Sequence, residues 1–402
     1  MPCTKRSTLS SALTAATAAV SSLSGLSSAP AATSTVMSSS TAIGVATGSP
    51  IPASSTLSAS SIAVVASSAA SATSTATATT SSSGNTTYAG VNIAGLDFGC
   101  GTDGTCTVDG VTFPSTGAAQ MQHFSSSDNL NVFRLTVGWQ YLTNAVIGGD
   151  LDATNFGQYN TLMSSCLAIT GAKCIVDIHN YARWDGNIIG QSSSGPTNEQ
   201  FAALWTSLAT EYSNNTNVIF GIMNEPHDLT VSTWADTVQA AVTAIRAVAP
   251  DNMILMPGSS YSSAATLPTE AGPYLLNVTN PDGTTDNLMF DVHKYLDSDN
   301  SGTSTECVTN NIDDAFEPLA TWLRTNNRQA MLSETGGGNT ASCIQYVCEE
   351  LAYLNENSDV FLGYVGWAAG AFDSTYALTL TPTGTTASSM VDTSLMSSCF
   401  AR

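Results

Sequence analysis

Ile219-Phe-Gly-Ile-Met-Asn-Glu-Pro-His227 is an apolar run that stops abruptly in Asn224, Glu225 and Pro226. Consecutive Ile, Phe, Ile and Met, with no polar alternation, read as a strand covered on both faces, and the proline after Glu225 ends it. A carboxylate at the mouth of a buried strand is costly unless it is paired or used. The arrangement returns 109 positions later, where Ala330-Met-Leu-Ser runs into Glu334, Thr335 and the glycines Gly336, Gly337 and Gly338. Each glutamate alone is compatible with a structural strand end. As a pair they supply the two carboxyls that glycoside hydrolysis requires.

Working outward, eight short apolar segments begin near Asn92, Asn131, Cys174, Val218, Met253, Leu288, Ala330 and Phe361, with successive starts 31 to 44 residues apart. Helical periodicity fills the gaps, as in Glu199 to Tyr212 and in Thr233 to Val248, the latter stopped by Pro250. Eight strand-plus-helix units with strands apolar on both faces predict an α/β fold, a parallel (β/α)8 TIM barrel. A doubly wound open sheet would carry a glycine-rich phosphate turn after its first strand, and none is present. In a barrel the strand ends hold the chemistry. Here they deliver Arg134, His179, Asn224, Glu225, His293, Tyr295, Glu334 and Trp367 to one rim.

The barrel accounts for only part of the 402 residues. From Met1 to Thr87 there is no Phe, Trp, Tyr, Asp or Glu, and Ser, Thr and Ala dominate. Such a stretch cannot bury enough apolar area to offset its ordering entropy. We read residues 1–25, where Lys5 and Arg6 precede a mildly apolar run, as a secretion signal with more Ser and Thr than is usual. Residues 26–87 read as a disordered, O-glycosylated linker, and 88–402 as the catalytic barrel.

All 31 acidic residues but only eight of the ten Lys and Arg fall after position 87, so the barrel carries a formal excess of 23 negative charges. That argues against nucleic acid or an anionic membrane as partner and suits an uncharged polymer. No run of eighteen apolar residues is present to span a bilayer. Eight of the nine cysteines lie in the barrel region, without zinc spacing, and with sequons at Asn85, Asn214 and Asn277 they point to an oxidising, extracellular compartment. No cofactor is expected. No metal is expected either at the four histidines His123, His179, His227 and His293.

At this point the residues resemble glycoside hydrolase family 5, and within it the secreted fungal endo-β-1,4-glucanases. The segments that carry the likeness are Val132-Phe-Arg-Leu with Gly138-Trp139, Ile175-Val-Asp-Ile-His-Asn-Tyr-Ala-Arg-Trp184, Phe220-Gly-Ile-Met-Asn-Glu-Pro-His227, Phe290-Asp-Val-His-Lys-Tyr-Leu-Asp297 and Glu334-Thr-Gly-Gly-Gly338. The resemblance runs from about Tyr88 to Arg402 and implies a retaining mechanism with Glu225 as acid/base and Glu334 as nucleophile. It further implies the disulfides Cys100–Cys106, Cys166–Cys174, Cys307–Cys343 and Cys348–Cys399, and a monomer acting on β-glucan.

The sequence also departs from the family. Residues 1–87 hold one cysteine and no aromatic, so the cystine-rich cellulose-binding module common in relatives is not expected. Thr136 stands where a proline is common, and Ser259-Ser260-Tyr261 replaces a polar–Trp pair after the fifth strand.

The chemistry sets further expectations. One carboxyl must keep its proton while the other stays ionised. Arg134 and the Tyr295 hydroxyl should hold Glu334 ionised, while burial and the charge of Glu334 should raise Glu225. The two carboxyls should stand about 5–5.5 Å apart. The Asn224 amide suits a sugar 2-hydroxyl and Trp367 a sugar face; Trp139 reads equally well as core. The alternatives are an endo-mannanase or xyloglucan-active enzyme and, in a different class, a non-catalytic carbohydrate-binding barrel. The last would lack one of the glutamates.

Overall fold

Strands apolar on both faces must be covered twice; closing the sheet on itself covers the inner face and surrounding helices cover the outer. In the computed structural model, which describes residues 84–402, eight parallel strands do so. The ten strands in chain order are β1 (Tyr88–Leu96), β2 (Val132–Val137), β3 (Lys173–Ile178), the short antiparallel pair β4 (Arg183–Trp184) and β5 (Asn187–Ile188), β6 (Val218–Gly221), β7 (Ile254–Pro257), β8 (Leu288–His293), β9 (Ala330–Thr335) and β10 (Phe361–Gly370). The barrel closes in the order β1-β10-β9-β8-β7-β6-β3-β2. Each of the eight apolar segments is one of its strands; the first starts at Tyr88, ahead of the expected Asn92.

The helices are α1 (Gly117–Ser127), α2 (Trp139–Leu142), α3 (Ala153–Leu167), α4 (Asn198–Tyr212), α5 (Val231–Val248), α6 (Gly272–Leu275), α7 (Glu317–Thr325) and α8 (Ala341–Glu356). Local signals set their starts. Thr197 and Gln200 form a reciprocal capping box at α4, Asp152 accepts from Thr154 and Asn155 at α3, and Thr340 caps α8. No described helix is long and apolar enough to cross a membrane.

Period-two alternation sorts the strand residues into two cores. Outward side chains such as Phe133, Val176 and Phe220 pack against the helices; Phe220 meets Trp205 edge-on at 5.9 Å. Truncating a residue so placed to alanine costs about 3–5 kcal/mol. Inward side chains Val132, Ile175, Ile219, Leu255, Met331 and Val365 plug the barrel's lower end. Further up, the inward positions of β2, β3, β8 and β9 turn polar: Arg134, Asp177, Asp291 and Ser333, none more than 1% exposed. The apolar plug is therefore the floor on which a buried polar layer rests.

The secretion signal expected over 1–25 and most of the linker expected over 26–87 lie outside the described residues. Residues 84–87 do not fit the linker reading. Thr86 is buried, its backbone N–H and its hydroxyl each 2.9 Å from Asn355 Oδ1, so the packed domain begins a few residues before β1. Four disulfides join Cys100 to Cys106, Cys166 to Cys174, Cys307 to Cys343 and Cys348 to Cys399. The sequon asparagines Asn85, Asn214 and Asn277 are all exposed.

Candidate active site

A β-bulge decides where Glu334 points. Against β8, Val292 pairs with Leu332 but His293 pairs with Glu334; against β10, Tyr364 pairs with Leu332 but Gly366 pairs with Thr335. The strand β9 thus holds one residue more than either neighbour around Ser333 and Glu334. Strict alternation would send these two side chains to opposite faces, yet both reach the interior. Ser333 Oγ lies 2.9 Å from His293 Nε2, and Glu334 Oε1 accepts from Arg134 Nη1 at 2.6 Å.

Arg134 organises the layer beneath. It donates to Asn92 Oδ1 at 2.9 Å and to Asn224 Oδ1 at 2.8 Å, and its Nη2 forms an ion pair with Asp177 Oδ1 at 2.8 Å. Burial works against the guanidinium charge, but Asp177 and Glu334 outweigh it and Arg134 stays firmly cationic. Burial likewise opposes ionisation of Asp177, and there Arg134 and then His179 prevail and lower its pKa. The second oxygen of Glu334 accepts from the Tyr295 hydroxyl at 2.7 Å. Both Glu334 oxygens are thus met by donors.

Glu225 lies just past the end of β6, with a left-handed φ of 42°. A bulky residue adopts that conformation only where its surroundings impose it. Its Oε1 lies 2.9 Å from His293 Nδ1, and its side chain, 16% exposed, is the most open of the cluster. Burial pushes the Glu225 carboxyl up to about 7, against the opposing influence of His179 and Arg134. The like charge of Asp177 adds to this. One oxygen of Glu225, one of Glu334 and a ring nitrogen of His293 all lie within 4.8 Å of one another.

The remaining residues are fixed by elimination of donors and acceptors. A guanidinium only donates, so the Asn224 oxygen faces Arg134 and its Nδ2 faces His179 Nε2 at 3.2 Å. His179 Nδ1 donates to Asp177 Oδ2 at 2.8 Å. Burial opposes a charge on His179, yet Asp177 outweighs it and raises the pKa; only the neutral ring accepts from Asn224. Burial lowers the pKa of His293. Trp367 stacks on His179 with centroids 5.3 Å apart, its Nε1–H donates to Tyr376, and its peptide bond to Ala368 is cis.

The glycines after Glu334 are required by crowding. A Cβ on Gly336 would sit 2.7 Å from the Trp367 carbonyl, and one on Gly337 would collide with the Cys307–Cys343 disulfide.

The structure thus brings together Arg134, His179, Asn224, Glu225, His293, Tyr295, Glu334 and Trp367. Trp139 is fully buried and edge-on to Trp184 at 5.2 Å, which makes it core. His227 stands beside the cluster, stacked on Tyr261 at 4.3 Å and bonded to the Thr102 carbonyl. Tyr261 of the Ser259-Ser260-Tyr261 substitution therefore still presents an aromatic there, 43% exposed. Asn92, Asp177 and Ser333 were missed as site residues. Asp177 was detectable as an acid two positions before His179 in an otherwise apolar strand; Asn92 and Ser333 gave no comparable signal.

A family description, "Cellulase (glycosyl hydrolase family 5)", matches residues 89–372. "Endoglucanase EG-II" of Hypocrea jecorina is 59% identical over 325 residues, covering 78% of this chain and 77% of that protein. "Manganese dependent endoglucanase Eg5A" of Phanerodontia chrysosporium is 50% identical over 296 residues, 73% of this chain and 75% of its own. The crystal structure of Cel5A (EG2) from Hypocrea jecorina superimposes with a TM-score of 0.77 at 58% identity, covering 79% of this chain and 99% of that one.

Proposed function

The chain belongs to the cellulases of glycosyl hydrolase family 5, and on that basis we propose that it cuts internal β-1,4-glucosidic bonds of cellulose and related β-glucans with retention of anomeric configuration. The observation that carries this reading is the Glu225–Glu334 pair. Their nearest oxygens lie within 4.8 Å, while one carboxyl is raised to about 7 and the other is met on both oxygens by donors. Inverting enzymes need about 6.5–9.5 Å to admit a water between the carboxyls.

In this mechanism the Glu334 carboxylate, aimed by Arg134 and Tyr295, attacks the anomeric carbon as Glu225 protonates the departing glycosidic oxygen. The product of that step is a glycosyl ester on Glu334. Esterification removes a negative charge from the pocket, so Glu225 becomes more acidic and takes the proton of an incoming water. That water attacks from the same face the leaving group vacated. The Asn224 amide, its oxygen tied to Arg134, has an Nδ2 hydrogen left for the sugar 2-hydroxyl, where bonds strengthen at the transition state. His293 bridges Glu225 and Ser333 and holds the acid in place. Trp367 and His179 form the flat wall against which a sugar ring packs.

Secretion, a monomeric state and a linker ahead of the barrel belong to the same reading. The four disulfides and the exposed sequons support an oxidising compartment. The deciding experiment compares viscosity loss and reducing-sugar release on carboxymethylcellulose, glucomannan and xyloglucan. We expect carboxymethylcellulose to lose viscosity well before its reducing ends accumulate. Faster turnover of glucomannan or xyloglucan would reassign the substrate.

A further inference from the structure

A second cluster of titratable side chains lies outside the cleft. The helix α1 runs antiparallel to the strands and ends just before β2 begins, so its C-terminal turn sits toward the rim opposite the catalytic glutamates. His123 in that helix and Asp128 at its C-cap meet Asp392, which arrives from the C-terminal segment.

Two largely buried carboxylates share a single imidazole at this spot. His123 Nδ1 lies 2.9 Å from the Ala387 carbonyl oxygen. A carbonyl only accepts, so Nδ1 carries a hydrogen, and in the neutral ring Nε2 is a bare lone pair. That lone pair faces another acceptor, Asp392 Oδ1, at 2.9 Å. Asp128 Oδ2 is buried with no hydrogen-bond partner and lies 4.0 Å from the same Nε2. The side chains of His123, Asp128 and Asp392 are 6%, 7% and 15% exposed, and among the described residues no Lys or Arg nitrogen comes within 4.0 Å of either carboxylate. Burial and the neighbouring Asp392 push the Asp128 carboxyl up to about 6, although His123 pulls the other way.

We propose that His123 Nε2, Asp128 and Asp392 bind one divalent transition cation, of the Mn²⁺ or Zn²⁺ class, which fastens the C-terminal segment to α1. One imidazole and two carboxylates whose ligand atoms all lie within 4.8 Å of one another suit such an ion, with water completing its shell. The carbonyl that holds Nδ1 is the partner that ring-ligating histidines commonly use to fix the tautomer and aim the other nitrogen. A bound cation would satisfy the orphaned Asp128 oxygen and take up the Nε2 lone pair of the neutral His123 ring. It takes no part in the hydrolysis; its effect is on stability.

The test uses the full-length protein stripped with EDTA and dialysed against Mn²⁺ or Zn²⁺, with metal content and thermal unfolding measured together. One equivalent should bind, and saturation should raise Tm by about 5 °C, the shift that mass action gives a domain of this size. Asp128→Asn and Asp392→Asn should each weaken binding at least tenfold and abolish the Tm gain. Glu334→Gln should bind as the unsubstituted protein does. Crystals of the unsubstituted protein soaked in MnCl₂ should show an anomalous peak bonded to His123 Nε2, a readout that needs no variant to fold. Binding unaffected by both Asp variants, binding lost in Glu334→Gln, or no anomalous peak at His123 would overturn the assignment.

Discussion

One residue past the nucleophile, the Thr335 hydroxyl donates to Glu350 Oε1 across 2.6 Å, and Glu350, on α8, is fully buried. Burial raises this carboxyl to about 8, although the Thr335 bond and the charge of Lys294 pull the other way. A folded-state pKa above the unfolded value favours the native state at low pH. That contribution is complete below the usual carboxylate range and is lost as pH rises toward about 8. Gln fits the same space and still accepts from Thr335. Glu350→Gln should therefore match the parent Tm at pH 4.5 and exceed it by several degrees at pH 8. Parallel Tm curves for the two proteins across that range would refute the assignment.

The Glu225 carboxyl, raised to about 7, makes a kinetic prediction of opposite use. A general acid works only while it holds its proton, so kcat/KM on a cello-oligosaccharide should fall about tenfold per pH unit above about 7. A dinitrophenyl leaving group needs no proton, and its glycosylation step should lack that alkaline limb. Pre-steady-state release of dinitrophenol, followed from pH 5 to 9, separates the two. An identical alkaline limb for both substrates would move the titrating group elsewhere.

Barrel, strand ends and catalytic pair were legible because each rests on a local signal. Unbroken apolar runs mark doubly covered strands, and a carboxylate closing such a run has few structural uses. What the sequence hid depends on register and on distant chain. Nothing in Leu332-Ser333-Glu334 announces a bulge, so the inward turn of both Ser333 and Glu334 appears only when β8 and β10 are laid alongside. The part of Asp177 in raising Glu225 was hidden because chain order does not reveal that Arg134 sits between Glu334 and Asp177. The cluster of His123 with Asp392 joins residues 269 positions apart, beyond the reach of any spacing rule.

The burial of Thr86 separates two truncations that composition alone would treat as one. Removing residues 1–83 should leave turnover of soluble glucan unchanged, since that segment has no aromatic with which to grip sugar. Removing residues 1–87 also deletes the contacts of Thr86 with Asn355 and Arg402. At about 0.5–1.5 kcal/mol per hydrogen bond, Tm should fall by a few degrees with kcat preserved. Differential scanning calorimetry of both proteins is the check, and equal Tm values would return residues 84–87 to the linker.

The sharpest consequence concerns how Glu225 and Glu334 divide the work. Replacing Glu334 by Gln removes the group that forms the ester, so no glycosyl-enzyme should accumulate whatever leaving group is offered. Replacing Glu225 by Ala removes only proton donation and water activation. Dinitrophenyl cellobioside should then still glycosylate Glu334, giving a burst of dinitrophenol followed by slow turnover. Azide needs no base. It should restore turnover to the Glu225→Ala enzyme by attacking the ester from the vacated leaving-group side, and the product should be the β-glycosyl azide. With Glu334→Ala, azide has only the space the nucleophile left and should yield at most the α-azide. Product configuration by proton NMR decides the matter: an α-azide from Glu225→Ala would exchange the two roles.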